Sequence, residues 1–159
     1  MRIGAVSDSH GNLYMLDKAI SSMGNVDMII HIGDHYKDII KVNEKYKKPI
    51  EYVVGNNDFK GQADYEKTIV IQGKRIFLTH GHRYNIYYGI NRLYYKGLEE
   101  NADVVVFGHT HVQHIERAGD MLLLNPGSTS LPRDNKPGCL IININDNGEI
   151  DIEPIKFNL

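Results

Sequence analysis

The chain predicts an α/β fold: two mixed β-sheets stacked face to face with helices outside, a four-layer sandwich. Three observations predict it. The first third alternates short apolar runs with polar loops and amphipathic helices, the pattern of parallel strands joined by helical crossovers. The second half changes to apolar runs separated by turns, the pattern of a meander. The length of 159 residues, 42% hydrophobic and 24% charged, fits one domain over 1–159, which would bury about two thirds of the surface of its unfolded chain.

In order, Arg2 to Ser7 reads as a buried strand, and the turn-forming Asp8-Ser9-His10-Gly11-Asn12 follows it. Leu13, Leu16, Ile20 and Met23 recur at helical spacing, so a helix spans Leu13 to Met23 and stops at Gly24-Asn25. Val26 to Ile32 is a second strand, broken by Gly33-Asp34-His35. Tyr36 to Lys47 fits a second helix, with Ile39, Val42 and Tyr46 on one face and Lys37, Lys41 and Lys45 on another. Ile50 to Val54 is a third strand, followed by Gly55-Asn56-Asn57-Asp58. Lys67 to Ile71 and Arg75 to Thr79 flank a Gln72-Gly73 turn and read as a hairpin. Tyr84 to Glu100 reads as a tyrosine-rich helix that Gly89 and Gly97 weaken. Val104 to Val106 is a strand. Val112 to Arg117, Met121 to Asn125, Gly138 to Asn145 and Ile150 to Phe157 read as strands joined by short turns, with Asp146-Asn147-Gly148 a strong hairpin signal.

Composition narrows the function classes. The net charge of -2 gives no overall positive field to draw nucleic acid. Cys139 is the one cysteine, so no intrachain disulfide forms, and its apolar setting suits a buried residue in a reducing cytoplasm. The apolar start, Met1 to Ser7, is cut short by Asp8 before it reaches the length of a signal-peptide core, and no run is long enough to span a membrane.

The polar residues that follow strands carry the chemistry. Val104 to Phe107 delivers the chain to Gly108 and then to His109 and His111. If that backbone stays extended, the two imidazoles point the same way. The pair alone fits a loop residue beside a packed one as well as two metal ligands. Gathered with it are Asp8, His10, Asp34, Asn56 and His80, each at a strand's carboxyl end, where open α/β sheets place their sites. All are hard or borderline donors, and none is a thiolate, which argues against a zinc knuckle or an iron–sulfur cluster. Seven donors exceed the needs of one tetrahedral ion. Two ions sharing one carboxylate, with Asp34 the candidate bridge, would use them all. Such ions lie about 3.5–4 Å apart and lower the pKa of bound water. Two carboxylates against two divalent ions leave roughly +2 of formal charge, which attracts a phosphate ester.

Asp8-Ser9-His10, Gly33-Asp34, Gly55-Asn56-Asn57-Asp58, His80-Gly81-His82 and Gly108-His109-Thr110-His111 match, in order, the five motifs of the calcineurin-like metallophosphoesterases, which the chain resembles. Asn125-Pro126-Gly127-Ser128 resembles the small YfcE-like bacterial and archaeal phosphodiesterase branch. The resemblance implies the metallo-dependent phosphatase fold and two divalent ions, manganese first, with nickel, zinc, iron or cobalt as alternatives. It implies one ion held by Asp8, His10, Asp34 and His111, the other by Asp34, Asn56, His80 and His109. It implies hydrolysis of a small phosphate ester, a diester in preference to a monoester or nucleotide, by in-line attack of a bridging hydroxide. A non-catalytic scaffold, like the retromer subunit of this fold, is a further alternative, disfavoured because all seven ligand positions carry competent side chains.

One position departs from the pattern. Asn57 stands where many superfamily members carry a histidine that assists the leaving group. An amide can donate a hydrogen bond but no proton, so phenolate-like leaving groups are expected to fare better than alkoxides. His82 or His35 could substitute. Asp58 is expected to orient Asn56 or Asn57. Other residues have plainer readings: His31 as a hydrogen-bonded core residue, His114 as a surface one, and Arg83 and Arg133 as solvated unless they clamp phosphate. Ser128 either caps a turn or bonds near the site. The tyrosines between Tyr84 and Tyr95 suit helix packing or a homodimer contact, or else stacking on an aromatic ester.

Overall fold

A computed structural model describes residues 1–59, 61 and 63–158. Sheet order follows from which strands carry apolar residues on both faces. β1 (Arg2–Val6) lies inside a five-stranded sheet of order β10-β9-β1-β2-β3. It is parallel to β2 (Met28–His31), with Ile3 opposite Met28, and β2 is parallel to β3 (Ile50–Tyr52). On its other side β1 is antiparallel to β9 (Gly138–Ile144), which pairs with β10 (Ile150–Lys156). The second sheet has the order β4-β5-β6-β8-β7. It comprises β4 (Glu66–Ile71), β5 (Lys74–Thr79), β6 (Val104–Val106), β7 (Gln113–Ala118) and β8 (Met121–Pro126). The expected β4–β5 hairpin forms around Gln72-Gly73, with Ile71 opposite Lys74.

Alternation along the strands builds three cores. Ile3, Ala5, Met28, Ile30, Leu140 and Ile142 of the first sheet pack against Ile76, Leu78, Val104, Val106, Leu122 and Leu124 of the second. The opposite face of the first sheet, with Ile29, Cys139 and Ile141, takes Leu16 and Ile20 of α1 (Leu13–Ser22) and Ile39 and Val42 of α2 (Lys37–Tyr46). The outer face of the second, with Phe77, Val105 and Leu123, takes Leu93 of α3 (Asn91–Glu99). The layers are therefore helix, sheet, sheet, helix, as the sequence predicts. Among the described residues no helix is long and apolar enough to cross a membrane.

Two expectations need correction. The tyrosine-rich stretch is not one helix. It begins as two short 3-10 turns, His82–Tyr84 and Ile86–Tyr88, and becomes α-helical only at Asn91. Asn85 (φ 55°) and Gly89 (φ 129°) take left-handed backbone that an α-helix cannot continue through. Gly97, by contrast, is helical, and a Cβ there would collide with Met121 and Val105 beneath. The second half is also not a simple meander. β6 is parallel to both β5 and β8, and residues 127–137 carry the chain from β8 back to the first sheet, where β9 joins β1. That long crossover, read as a short turn in the sequence, passes beside the site.

His31 fulfils its core role. It is fully buried, its Nδ1 accepts from the Gly33 amide at 3.2 Å, and its Nε2 donates to Ser9 Oγ at 3.0 Å. Ser9 in turn donates to Asp38 at 2.8 Å. Burial pushes the imidazole down from 6.5 to about 4, so the folded chain keeps it neutral where the unfolded chain takes up a proton. Its contribution is complete above pH 6.5 and is lost as pH falls toward 4, by about 2–3 kcal/mol at pH 4.5. His31→Gln should lower stability at pH 7 yet remove about that much of the acid loss. Denaturant unfolding of both proteins at pH 7 and 4.5 measures the difference, and equal acid losses would contradict it.

Candidate metal centre

The loops after β1, β2 and β3 reach the same place as the loops after β5 and β6, so the site lies where the carboxyl ends of the two sheets meet. Asp8, Asp34 and His80 are at most 1% exposed, His111 is buried, His10 and His109 are half-buried, and Asn56 is exposed. The cluster is sealed on the core side and open on the other.

The sequence reading assumed an extended chain at His109 and His111, and this is wrong. Both adopt left-handed backbone, with φ of 68° and 60°, so their rings diverge. His111 stacks toward His10 with ring centroids 5.0 Å apart, and His109 toward His80 at 5.2 Å. Asp8, His10 and Asp34 are left-handed as well, at φ 53°, 47° and 56°. Asp, Asn and His tolerate this region better than most residues.

The donor atoms converge on one another. Ligand atoms of Asp8, His10, Asp34 and His111 all lie within 4.8 Å of each other. His111 Nε2 is 3.1 Å from Asp8 Oδ1 and 3.2 Å from His10 Nε2, and His10 Nε2 is 3.5 Å from Asp34 Oδ2. On the other side of Asp34, His80 Nε2 is 3.4 Å from Asp34 Oδ1, 3.1 Å from Asn56 Oδ1 and 3.8 Å from Asp8 Oδ1. Asp34 thus faces both groups of donors, one with each oxygen.

Backbone carbonyls determine which imidazole nitrogens are free. A carbonyl only accepts, so His80 Nδ1 donates to Ile32 O at 2.6 Å and His111 Nδ1 to Leu131 O at 2.7 Å. Both Nε2 atoms then turn lone pairs into the cluster, the arrangement that orients and strengthens imidazole as a ligand. With the imidazoles neutral, Asp8 Oδ1 is buried without a hydrogen-bond partner, and the nearest donor atom, His111 Nε2 at 3.1 Å, turns a lone pair toward it. A carboxylate oxygen in that position calls for a cation, and the donor set of two carboxylates, imidazoles and an amide fits a divalent one.

Proton affinities follow the same geometry. Burial alone would raise the Asp8 carboxyl, but the bond to His111, the nearby His80 and the Ser7 hydroxyl outweigh it and hold it low. Burial would lower His111, but Asp8 reverses this and raises it. Burial lowers His10 and His82, and it lowers His109 to about 4 with help from His80. Asp8 and His111 thus each favour the charged form of the other.

Surrounding residues hold the ligands. Asn57 donates to Asp34 twice, from its backbone amide to Oδ1 at 2.9 Å and from its side chain to Oδ2 at 2.6 Å. Its amide is engaged with the carboxylate expected to bridge. Asp58 does not touch the side chain of Asn56 or Asn57. It accepts from the amides of His35, Tyr36 and Gly55 at 2.8, 3.0 and 2.8 Å, and so ties the Asp34 loop to the Asn56 loop. His82 lies 5.4 Å from His80 and 6.1 Å from His109, ring to ring, and its buried Nδ1 has no partner. His35, the other candidate substitute, lies 5.7 Å from the His10 ring, on left-handed backbone that it shares with Asp34. His114 pairs with Glu116 outside the site.

Ser7 and the contacts of Asn125 escaped the sequence reading, whereas Ser128 meets both of its expected roles. Ser7 donates to Asp8 Oδ2 at 2.6 Å, joined by the His109 amide at 3.2 Å. Asn125 donates to Gly108 O and Thr110 Oγ1, fixing the loop that carries both histidines. Ser128 donates to Asp8 O at 2.7 Å while accepting the amides of Ser130 and Leu131, so it both caps a turn and holds the Asp8 backbone. A buried polar residue directly after an apolar strand was the available signal.

Residues 1–147 match the family model described as a calcineurin-like phosphoesterase superfamily domain. The chain is 33% identical to a probable metallophosphoesterase, YsnB, of Bacillus subtilis over 84% of its length and 78% of that protein's. It is 32% identical to a phosphodiesterase of Methanocaldococcus jannaschii over 80% of its length and 83% of the other. In fold it is similar to Vps29 of Entamoeba histolytica, solved with zinc, at a TM-score of 0.78 and 21% identity over 99% of this chain and 100% of that one. With the ordered motifs and the converging donors, these matches establish that the chain belongs to the calcineurin-like phosphoesterase superfamily.

Proposed function

We propose that this chain, acting as one cytoplasmic domain, is a phosphodiesterase with a two-metal centre, manganese being the first choice of ion. The observation that carries the reading is the buried, unpartnered Asp8 Oδ1 facing imidazole lone pairs, with Asp34 presenting one oxygen to each group of donors. Asp8, His10, Asp34 and His111 would hold one ion, and Asp34, Asn56, His80 and His109 the other. When bound, two such ions supply Lewis acidity toward a phosphate ester and acidify water to a nucleophile near neutral pH.

The chain's own side chains do the rest. Asn57 fixes both oxygens of Asp34, so the shared carboxylate cannot rotate toward one half of the site. Ser7 and the His109 amide occupy Asp8 Oδ2 and leave Oδ1 to the cluster. His82, half-buried beside His80 and His109, would touch the ester, while Asp58 keeps the Asn56 loop against the Asp34 loop. The diester preference is supported by the relative named a phosphodiesterase. The likeness to Vps29 concerns fold alone.

Bis-p-nitrophenyl phosphate should be hydrolysed faster than p-nitrophenyl phosphate by the manganese-loaded protein. The reverse order would favour a monoesterase, and no turnover of either despite bound metal would favour the scaffold reading. Asp34→Asn should lower kcat by about a hundredfold or more and reduce metal content, because even partners of ligands are worth 10–100-fold. Retained activity at full metal occupancy would refute the bridge. Because Asp8 raises the proton affinity of His111, metal uptake near pH 7 should release a proton and weaken as pH falls. Titration calorimetry in buffers of different ionisation enthalpy reads this directly, and buffer-independent heats would contradict it.

A further inference from the structure

One pair at the rim of the site offers no donor atom to the cluster, yet it is tied to the backbone of two candidate ligands. The Tyr87 hydroxyl donates to His109 O at 2.9 Å, and its exposed ring leans on the His109 imidazole at 4.9 Å. Arg133 donates from Nη1 to the Tyr87 hydroxyl at 2.7 Å, and its backbone amide donates to His111 O at 3.0 Å. The guanidinium also sits over the Tyr87 ring, 5.8 Å from its centroid. Among the described residues it meets no carboxylate.

A solvated surface arginine would need none of this. Here a permanently charged fork is tethered through its backbone to one candidate ligand and through a phenol to another, with most of its N–H donors unused. Such a fork matches the oxygens of a phosphate. The exposed tyrosine face beside it matches a planar ring, which can stack on it.

Building on the phosphodiesterase reading, we propose that Arg133 and Tyr87 form a substrate-seating pair. Arg133 takes a non-bridging oxygen of the scissile diester. Tyr87 stacks on a planar substituent of the ester group that is retained, so the preferred substrates are diesters carrying an aryl or nucleoside group. The Tyr87 hydroxyl positions Arg133. No bond forms or breaks at either residue.

Two probes share a leaving group and differ in the retained one: bis-p-nitrophenyl phosphate and methyl p-nitrophenyl phosphate. Arg133→Gln should raise KM on both by about tenfold, the loss of one charge-assisted hydrogen bond, with kcat moving less. Arg133→Lys should restore only part of it. Tyr87→Leu should raise KM more on the diaryl ester than on the methyl ester, whereas Tyr87→Phe, which keeps the ring, should affect both alike. Metal content and melting temperature should match the parent. Unchanged KM in Arg133→Gln would overturn the pair as a binding element. A fall in kcat with loss of metal would overturn it too, showing that it merely braces His109 and His111. If the parent protein binds metal but turns over neither ester, the phosphodiesterase reading fails separately. The pair is then judged by calorimetric binding of bis-p-nitrophenyl phosphate: weaker in Arg133→Gln supports it, and equal affinity overturns it.

Discussion

Asp8 is fully buried where the two sheets meet, and the atoms nearest its Oδ1 carry lone pairs of their own. Two imidazoles are forced into that orientation because backbone carbonyls of Ile32 and Leu131 take their other nitrogens. The crowding of like-oriented lone pairs is electrostatically unfavourable, and burial of Asp8 on the core side strengthens it. The fold tolerates it because the sheets supply the surplus: strands buried on both faces, with the cores between and outside them closely packed. Stability is thus generated in the layers and spent at their edge, in a cluster that relaxes when positive charge enters.

Much of the fold was legible because the strands of its first half are local. Each of β1, β2 and β3 is followed by its own polar loop, and the first two by a helix that packs back on the same sheet. What the chain order hid was long-range pairing. Gly138–Ile144 lies beside Arg2–Val6, and no pattern within either segment names the other. The tyrosine-rich stretch misled for a local reason: its apolar spacing suits a helix, but Asn85 and Gly89 adopt backbone that interrupts one.

The candidate site was legible in its residue types and misjudged in its geometry. Asp8, His10, Asp34, Asn56, His80, His109 and His111 stood out as polar groups at strand ends; donor atoms of six of them lie close together, and the His109 ring sits beside His80. Their directions could not be read, because alternation holds only for extended chain and these loops are not extended. Supporting contacts were harder still. Asn57 resembled a depleted catalytic position, yet its measurable bonds are to Asp34. Asp58 serves three amides rather than a side chain.

The left-handed backbone at Asp8, His10, Asp34, His109 and His111 has an evolutionary corollary. Each such residue stores strain on the order of 1 kcal/mol, and branched or large apolar side chains are excluded there far more strongly than Asn, Asp, His or Gly. Mutational drift at these five positions is therefore channelled. Changes among hard donors, or to glycine, leave the loops intact, while most other replacements deform them. A lineage that stopped needing the chemistry could shed its donors one by one through asparagine or glycine and keep the sandwich unchanged, so this architecture is unusually free to outlive its own reaction.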